Sequence, residues 1–291
     1  VGSVGAHLAR LGVAPGDRVA IAMRNLPEWP MAFWAIVGMG AVAVPLNAWW
    51  SGPELAYGLA DSGARVLFAD DERLARLQGQ LGDTAVEHIL TGVEEFEPGA
   101  LPDAGIDPDD DATIMYTSGT TARPKGAVGT HRNLCAHVMN SMYATVGPGA
   151  AAAAGGAGTT ADRPPLAAAT LLTFPLFHVG GLHSFLVPYT VAGGKVVLMY
   201  RWDAATALDL IEAEDVTAVG GVIEASDIIR RGGGCGGRVR RAAIQRPREA
   251  IGIDGAAVAF RGCGNNHTAG VYRITTRVWR IGIYLVARGS R

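Results

Sequence analysis

The sequence predicts an α/β fold of layered, mainly parallel sheets with helices on both faces. Short β-branched and apolar runs alternate with helical patterns from residue 18 to residue 222, an order typical of parallel sheets whose strands are joined by helices. The strand runs are apolar throughout, which indicates that both faces of the sheet are covered. With 291 residues and 49% hydrophobic content, the chain can bury a substantial core.

The predicted elements alternate along the chain. The first strand follows a Pro-Gly-Asp turn, and each later strand is a short apolar run that follows a helical pattern or a turn. One helix is opened by Ser51, and Glu54 stands three residues on, which is the spacing of a capping box. The predicted strands are Arg18–Met23, Ala41–Val44, Arg65–Ala69, Val86–Leu90, Thr113–Tyr116, Lys195–Met199 and Thr217–Val222. The other predicted helices are Val4–Leu11, Met31–Met39, Glu72–Leu81 and Ala204–Glu214.

Four segments need separate interpretation. Trp29–Leu46 and Pro164–Gly194 carry no charge, but proline and glycine interrupt both, so they are predicted to be core segments and not membrane spans. Peripheral contact with a membrane stays open. The acidic connection Thr91–Asp111 is predicted to be a solvated linker, and the Ala/Gly-rich stretch Gly147–Pro165 a flexible surface insertion.

The strand Thr113–Tyr116 runs into residues 117–126, TSGTTARPKG. Four hydroxyl side chains flank Gly119, so hydroxyls and backbone amides can converge on one anion, and Lys125 adds a mobile positive charge. The pattern favours polyphosphate binding. It is not a Walker A loop, in which a hydroxyl residue follows the lysine to bind magnesium. The alternative is an ordinary Gly/Thr turn beside a surface lysine.

The segment YTSGTTARPKGAV resembles the phosphate-binding signature of the adenylate-forming superfamily, which includes acyl-CoA synthetases, luciferases and the adenylation domains of peptide synthetases. Ala122 stands where the family usually has glycine. Residues 174–182, FPLFHVGGL, resemble the family segment that lines the acyl pocket, and PGDRVA at residues 15–20 resembles the opening of acyl-CoA synthetases. The resemblance covers residues 1 to 222 and is closest to the fatty-acyl and aryl-CoA ligase branch.

The resemblance implies an enzyme that uses ATP and Mg²⁺ to convert a fatty or aryl carboxylic acid into an acyl-adenylate, and then transfers the acyl group to coenzyme A. It places His178 beside the bound carboxylate as the candidate catalytic residue. Standing alone, a histidine in such a segment would more often be a hydrogen-bonded core residue. The metal ligands are not assigned. The phosphates would be held by Thr117, Ser118, Gly119, Thr120, Thr121 and Lys125.

The net charge of −2 hides two different segments. Residues 1–223 hold 12 basic and 23 acidic side chains, a balance of −11, and residues 224–291 hold 13 and 4, a balance of +9. All 13 basic residues of the second segment are arginines, and it shows no sustained helical or strand period. The family's downstream Thr-Glu pair, ribose-binding Asp and C-terminal lysine are not found there. We expect residues 1–223 to be a partial N-terminal AMP-binding domain and residues 224–291 to be frame-shifted or divergent, with ligase activity impaired by truncation.

Two other functions stay open. The basic segment interleaves Tyr272, Trp279 and Tyr284 with arginines, which suits nucleic-acid binding, although no recognised nucleic-acid motif accompanies it. A catalytically dead protein that still binds ATP is the third possibility. The three cysteines are too widely spaced for a disulfide framework, which favours a reducing, cytoplasmic setting. The oligomeric state cannot be predicted.

Overall fold

The computed structural model describes residues 1–93, 96–117, 123–154, 169–220, 240–245, 257–259, 270–276 and 281–287. The chain divides into two compact units. The first unit comprises Val1–His137 and Leu176–Val179, and the second comprises Val138–Pro175 and Gly180–Arg291.

The first unit is built on a six-stranded sheet. Its strands are β1 (Arg18–Ala22), β2 (Val42–Pro45), β3 (Val66–Ala69), β4 (His88–Leu90), β5 (Asp111–Thr117) and β6 (Lys125–Thr130). Their order is β4-β3-β1-β2-β5-β6, with every neighbouring pair parallel except β5 and β6, which form an antiparallel hairpin. The helices are α1 (Gly2–Arg10), α2 (Glu28–Gly38), α3 (Gly52–Ser62) and α4 (Asp71–Arg76). The mainly parallel α/β fold is therefore confirmed, and β6 is an element that the sequence did not predict.

The core of the first unit lies around its central strands. Every residue of β2 and β3 is buried, and so is β1 after its first residue, as expected for strands covered on both faces. The uncharged run Trp29–Leu46 forms the buried face of α2 and then β2, as predicted. At the start of α3, the Glu54 carboxylate accepts hydrogen bonds from the backbone N and the hydroxyl of Ser51, at 2.7 Å each, which completes the predicted capping box.

The linker before β5 is less solvated than predicted. The ring of Phe96 stacks on His7 with their centroids 4.1 Å apart. Leu101 fits over two glycines of α1 and α2, since a Cβ on Gly5 would lie 2.4 Å from its Cδ1 and a Cβ on Gly38 would lie 2.7 Å from its Cδ2. The acidic composition of the linker gave no indication that Phe96 and Leu101 hold parts of it against the helices.

The second unit contains a seven-stranded sheet. Its strands are β7 (Ala169–Leu172), β8 (Lys195–Leu198), β9 (Ala218–Gly220), β10 (Arg240–Gln245), β11 (Ala257–Ala259), β12 (Gly270–Thr276) and β13 (Ile281–Ala287), in the order β11-β10-β9-β7-β8-β13-β12. The remaining helical elements are α5 (His131–Ala154), α6 (Val179–Gly181), a π-helix (Leu182–Leu186), α7 (Val187–Val191) and α8 (Ala204–Ala213). None of the helices in the described part of the chain is both long and apolar enough to cross a membrane.

Two expectations for this region differ from the structure. Residues 147–154, predicted to be part of a flexible insertion, continue helix α5. They begin with Gly-Pro-Gly, and only the five alanines that follow have high helix propensity. Residues 155–165 lie outside the described residues. Beyond Glu224, where no strand period was found, the structure places β10 to β13. The last two contain several β-branched and aromatic residues, which favour strands even without strict alternation.

Candidate functional site

The predicted phosphate loop joins β5 to β6. Thr117 ends β5 and Lys125 begins β6, and the two residues are direct partners in the hairpin. Side chains of directly opposite residues lie on the same face of an antiparallel pair. Both residues are exposed, so a hydroxyl and an ammonium group lie together at the mouth of the loop, where the Thr117 hydroxyl is 3.4 Å from the carbonyl O of Lys125. Ser118, Gly119, Thr120 and Thr121, the other predicted phosphate-binding residues, lie outside the described residues.

The last glycine of the motif has a packing role. A Cβ on Gly126 would lie 2.7 Å from Cγ2 of Ile114 and 3.5 Å from Cζ of Tyr116. Side chains of β5 therefore occupy the space that any larger residue at position 126 would need. The glycine after Lys125 lets β6 pair closely with β5 and so fixes where the lysine stands.

Tyr116, the residue before Thr117, is held from helix α3. Its hydroxyl donates to Oδ2 of Asp61 at 2.7 Å. Burial of the phenol, followed by its hydrogen bond to Asp61, raises the pKa of Tyr116 above its usual value.

The raised pKa of Tyr116 predicts a loss of stability in alkali. The folded state retains the phenol proton more strongly than the unfolded chain, so this contribution is full below the unfolded pKa of about 10 and is lost as the pH rises through the folded pKa. Urea unfolding of wild type and Tyr116→Phe between pH 8 and 11 measures it. We expect the stability gap between them to narrow above pH 10, and a gap that stays constant would contradict the assignment.

The His178 segment is anchored to the loops that follow β1 and β2. Leu176 is fully buried, and its backbone N donates to Oδ1 of Asn25 at 2.9 Å. The ring of Phe177 packs edge-on against Trp49 with centroids 5.0 Å apart. His178 itself is exposed, so it is not a core histidine. Two buried anchors thus carry the exposed imidazole.

The described site residues share one edge of the six-stranded sheet. Asn25 follows the carboxyl end of β1, Trp49 follows that of β2, and Thr117 stands at that of β5. In open parallel sheets, ligands bind outside the carboxyl ends of the strands. The structure therefore brings the His178 segment and the start of the phosphate loop to the edge where a ligand is expected. Sequence reasoning missed Asn25 and Trp49 as anchors, although a polar residue just after a buried strand is the signal that could have pointed to Asn25.

The Asn25 side chain is expected to be important for local order. Asn25→Leu removes the acceptor of the buried Leu176 N–H, and an unsatisfied buried donor costs about 1–3 kcal/mol. Urea denaturation should show that loss, with faster amide exchange at Leu176. Asn47→Leu is the matched control, because the Asn47 side chain accepts from the N–H of exposed Trp49 at 2.9 Å, where water can replace it. Equal losses in the two variants would contradict the prediction.

The donor set fits a polyphosphate better than a metal ion alone. An exposed lysine opposite a hydroxyl supplies the charge and the hydrogen-bond donors that phosphate oxygens need. Within the described ranges, no group of three or more His, Cys, Asp or Glu side chains could hold a metal.

The family model for AMP-binding enzymes matches residues 1–249. The chain belongs to the AMP-binding enzyme family. The match extends beyond the residue 222 at which the resemblance in the sequence stopped.

The chain is similar to several CoA ligases. It is 36% identical over 215 residues to a feruloyl-CoA synthase of an Amycolatopsis species, covering 74% of this chain and 40% of that protein. It is 33% identical over 230 residues to the long-chain-fatty-acid–CoA ligase FadD13 of Mycobacterium tuberculosis, covering 75% and 41%. The chain therefore spans about 40% of the length of the curated relatives it matches.

Solved structures give the same family fold. The inhibitor-bound N-terminal domain of FACL13 from Mycobacterium tuberculosis matches with a TM-score of 0.64 and 27% identity, over 87% of this chain and 57% of that one. The O-succinylbenzoate coenzyme A synthetase MenE of Bacillus subtilis, in complex with AMP, matches with a TM-score of 0.61 and 26% identity, over 79% and 55%.

Proposed function

We propose that this chain carries the ATP-binding part of an AMP-forming acyl-CoA ligase. The observation that carries the proposal is the pairing of Thr117 with Lys125 at the carboxyl edge of a parallel sheet. The matched relatives are named for CoA ligation of aryl and fatty acids, so ATP, a carboxylic acid and coenzyme A are the proposed substrates. Those relatives lend no support to the nucleic-acid alternative.

The chain's own residues supply binding and orientation. Lys125 would place its ammonium group against the phosphate oxygens and Thr117 would donate its hydroxyl. By resemblance to the family, Ser118, Gly119, Thr120 and Thr121 would supply the other phosphate contacts. When bound, Mg²⁺ neutralises charge on the phosphate oxygens, but no described residue is assigned to hold it.

His178 is proposed to lie beside the carboxylate that is activated. Its support is the exposed imidazole on a segment anchored through Asn25 and Trp49 to the carboxyl edge of the sheet. An imidazole there could donate a hydrogen bond to a carboxylate oxygen and orient it toward the phosphate loop. The carboxylic acid is proposed only as a class, aryl or fatty.

We propose further that residues 1–223 form a partial AMP-binding domain and that residues 224–291 do not supply the family's downstream motifs, through a shifted reading frame or divergence. The chain would then bind ATP with little or no turnover. The exposed, free thiol of Cys135 suits the proposed cytoplasmic setting.

Calorimetric ATP titration and ATP–pyrophosphate exchange with a panel of aryl and fatty carboxylates test these proposals together. We expect measurable ATP binding and weak or absent exchange. Robust exchange would overturn the proposed impairment and support a working ligase. Absence of ATP binding would overturn the nucleotide site itself. Translating the neighbouring nucleotide sequence in the other two frames tests the frame-shift proposal, and failure to recover the Thr-Glu pair there would count against it.

A further inference from the structure

Two tyrosines and one carboxylate meet beside the phosphate loop. Tyr57 and Asp61 stand four residues apart on α3, so they share a face of that helix. Tyr116 reaches the same carboxylate from β5, since its hydroxyl lies 2.7 Å from Oδ2 of Asp61. The Tyr57 hydroxyl lies 3.1 Å from the carbonyl O of Pro124 and 3.4 Å from Oδ1 of Asp61.

These contacts reach both ends of the loop. Tyr116 immediately precedes Thr117, where the loop begins, and Pro124 immediately precedes Lys125, where it ends. The hairpin ladder ties the two ends to each other, and the hydroxyls of Tyr116 and Tyr57 tie each end separately to α3. The face of Tyr57 also supports a cation, because the guanidinium carbon of Arg123 lies 5.5 Å from its ring centroid.

We propose that Tyr57, Asp61 and Tyr116 are positioning residues that fix the two ends of the phosphate loop against α3. The proposal rests on the proposed function, because it takes the loop to be the ATP site. None of the three residues needs to touch the nucleotide. They hold Thr117 and Lys125, the described residues at the two ends of the loop, in place against α3 before nucleotide binds, and binding groups that are positioned in advance raise affinity.

The three residues differ in what each one holds. Asp61 accepts from Tyr116 and so holds the start of the loop, whereas Tyr57 has one proton to donate and its shorter contact, at 3.1 Å, is with the carbonyl O of Pro124 at the end of the loop. Tyr57→Phe removes the hydroxyl but keeps the ring beneath Arg123, whereas Tyr57→Leu removes both. Comparing these two variants separates the bond to Pro124 from the support of Arg123.

The test uses the full chain with ATP as the probe. Tyr57→Phe is expected to raise the ATP Kd about three- to tenfold, the loss that one neutral hydrogen bond supports, and Tyr116→Phe and Asp61→Asn about tenfold, because the bond between Tyr116 and Asp61 is to a charged carboxylate. The double variant Tyr57→Phe/Tyr116→Phe should lose more than either single variant, because each tyrosine holds a different end. Tyr143→Phe is the matched control, since Tyr143 is 79% exposed on α5, and its Kd should equal that of wild type.

A second measurement separates loop positioning from general stability and does not need ATP. Amide hydrogen exchange of the peptide spanning residues 111–130, and the rate of tryptic cleavage after Lys125, should both increase in the three variants. Exchange in β1 and β3 should not change. The urea midpoint identifies any variant whose global stability has fallen. If a tyrosine variant is destabilised, the comparison of exchange rates with wild type is made on Asp61→Asn, which keeps the size of the side chain.

Each outcome bears on a different statement. If wild type does not bind ATP but amide exchange is faster in the variants, the proposed function is overturned and the positioning role in the hairpin stands. If amide exchange across residues 111–130 is as slow in all three variants as in wild type, the positioning proposal is overturned, whatever happens to the Kd. Faster exchange together with a raised Kd supports both.

Discussion

Replacing Arg73 with methionine is expected to lower the free energy of unfolding by about 3 to 5 kcal/mol, the cost of breaking a buried ion pair by removing one partner. The Arg73 side chain is fully buried and its partner Asp70 is 11% exposed. Without the guanidinium, the Asp70 carboxylate would stay desolvated next to an apolar side chain. Urea denaturation monitored by tryptophan fluorescence would measure the loss.

The size of this effect follows from how many segments Arg73 connects. Its Nη1 donates to both carboxylate oxygens of Asp70, at 2.9 and 2.8 Å, and its Nε donates to the carbonyl O of Ala48 at 2.8 Å. Asp70 in turn accepts from the backbone N of Arg24 at 3.0 Å. One side chain therefore ties α4 to the loop after β2 and, through Asp70, to the loop after β1.

Arg132→Met is the matched control for this prediction. Arg132 also forms a two-bond pair, with Nε and Nη2 donating to Asp109 at 2.6 and 2.9 Å, but the side chains are 61% and 68% exposed. Water replaces an exposed pair at little cost, so its unfolding midpoint should move only slightly. If both variants lost stability equally, burial would not be the cause and the prediction would fail.

Lys125→Met is expected to weaken ATP binding by about tenfold to a hundredfold, because hydrogen bonds to a charged group contribute about 1.5–3 kcal/mol. The lysine stands directly opposite Thr117, and methionine keeps most of the length of the side chain while removing its charge and its three donors. Calorimetric titration at two salt concentrations would measure the affinity and show whether its salt dependence falls as well.

The chain offers two controls for Lys125. Lys125→Arg keeps the charge and should retain most of the affinity. Lys195→Met removes the other lysine, which pairs with Glu214 at 3.2 Å in the second unit, so the folded protein should bind ATP as wild type does. An unchanged Kd in Lys125→Met would remove the lysine from the nucleotide site.

The sequence was a good guide wherever burial alone decides structure. Strands β1, β2 and β3 are apolar because both faces are covered, so their local pattern was sufficient to predict them. Strand β6 was missed because its first four residues are exposed and it contains two glycines. Its conformation is decided by pairing with β5, which a local pattern does not show.

The candidate site divides in the same way. Thr117 and Lys125 were predicted because they lie in one contiguous motif. The support of the His178 segment could not be predicted, because the hydrogen bond between Asn25 and Leu176 joins residues 151 positions apart. The role of Tyr57 beside Pro124 is equally non-local, since 67 positions separate them. Such pairs are created by the topology of the sheet and leave little trace in either local sequence.

Strand β6 is one of the two edge strands of the six-stranded sheet, and Val128 on it is 57% exposed. An outer strand can serve as a template on which another chain adds a strand, and a lysine on such a strand opposes that addition. Lys125 stands at the first position of this strand. The ammonium group proposed to bind the phosphates would then also discourage two copies from joining edge to edge, so Lys125→Met should aggregate more readily than Lys125→Arg.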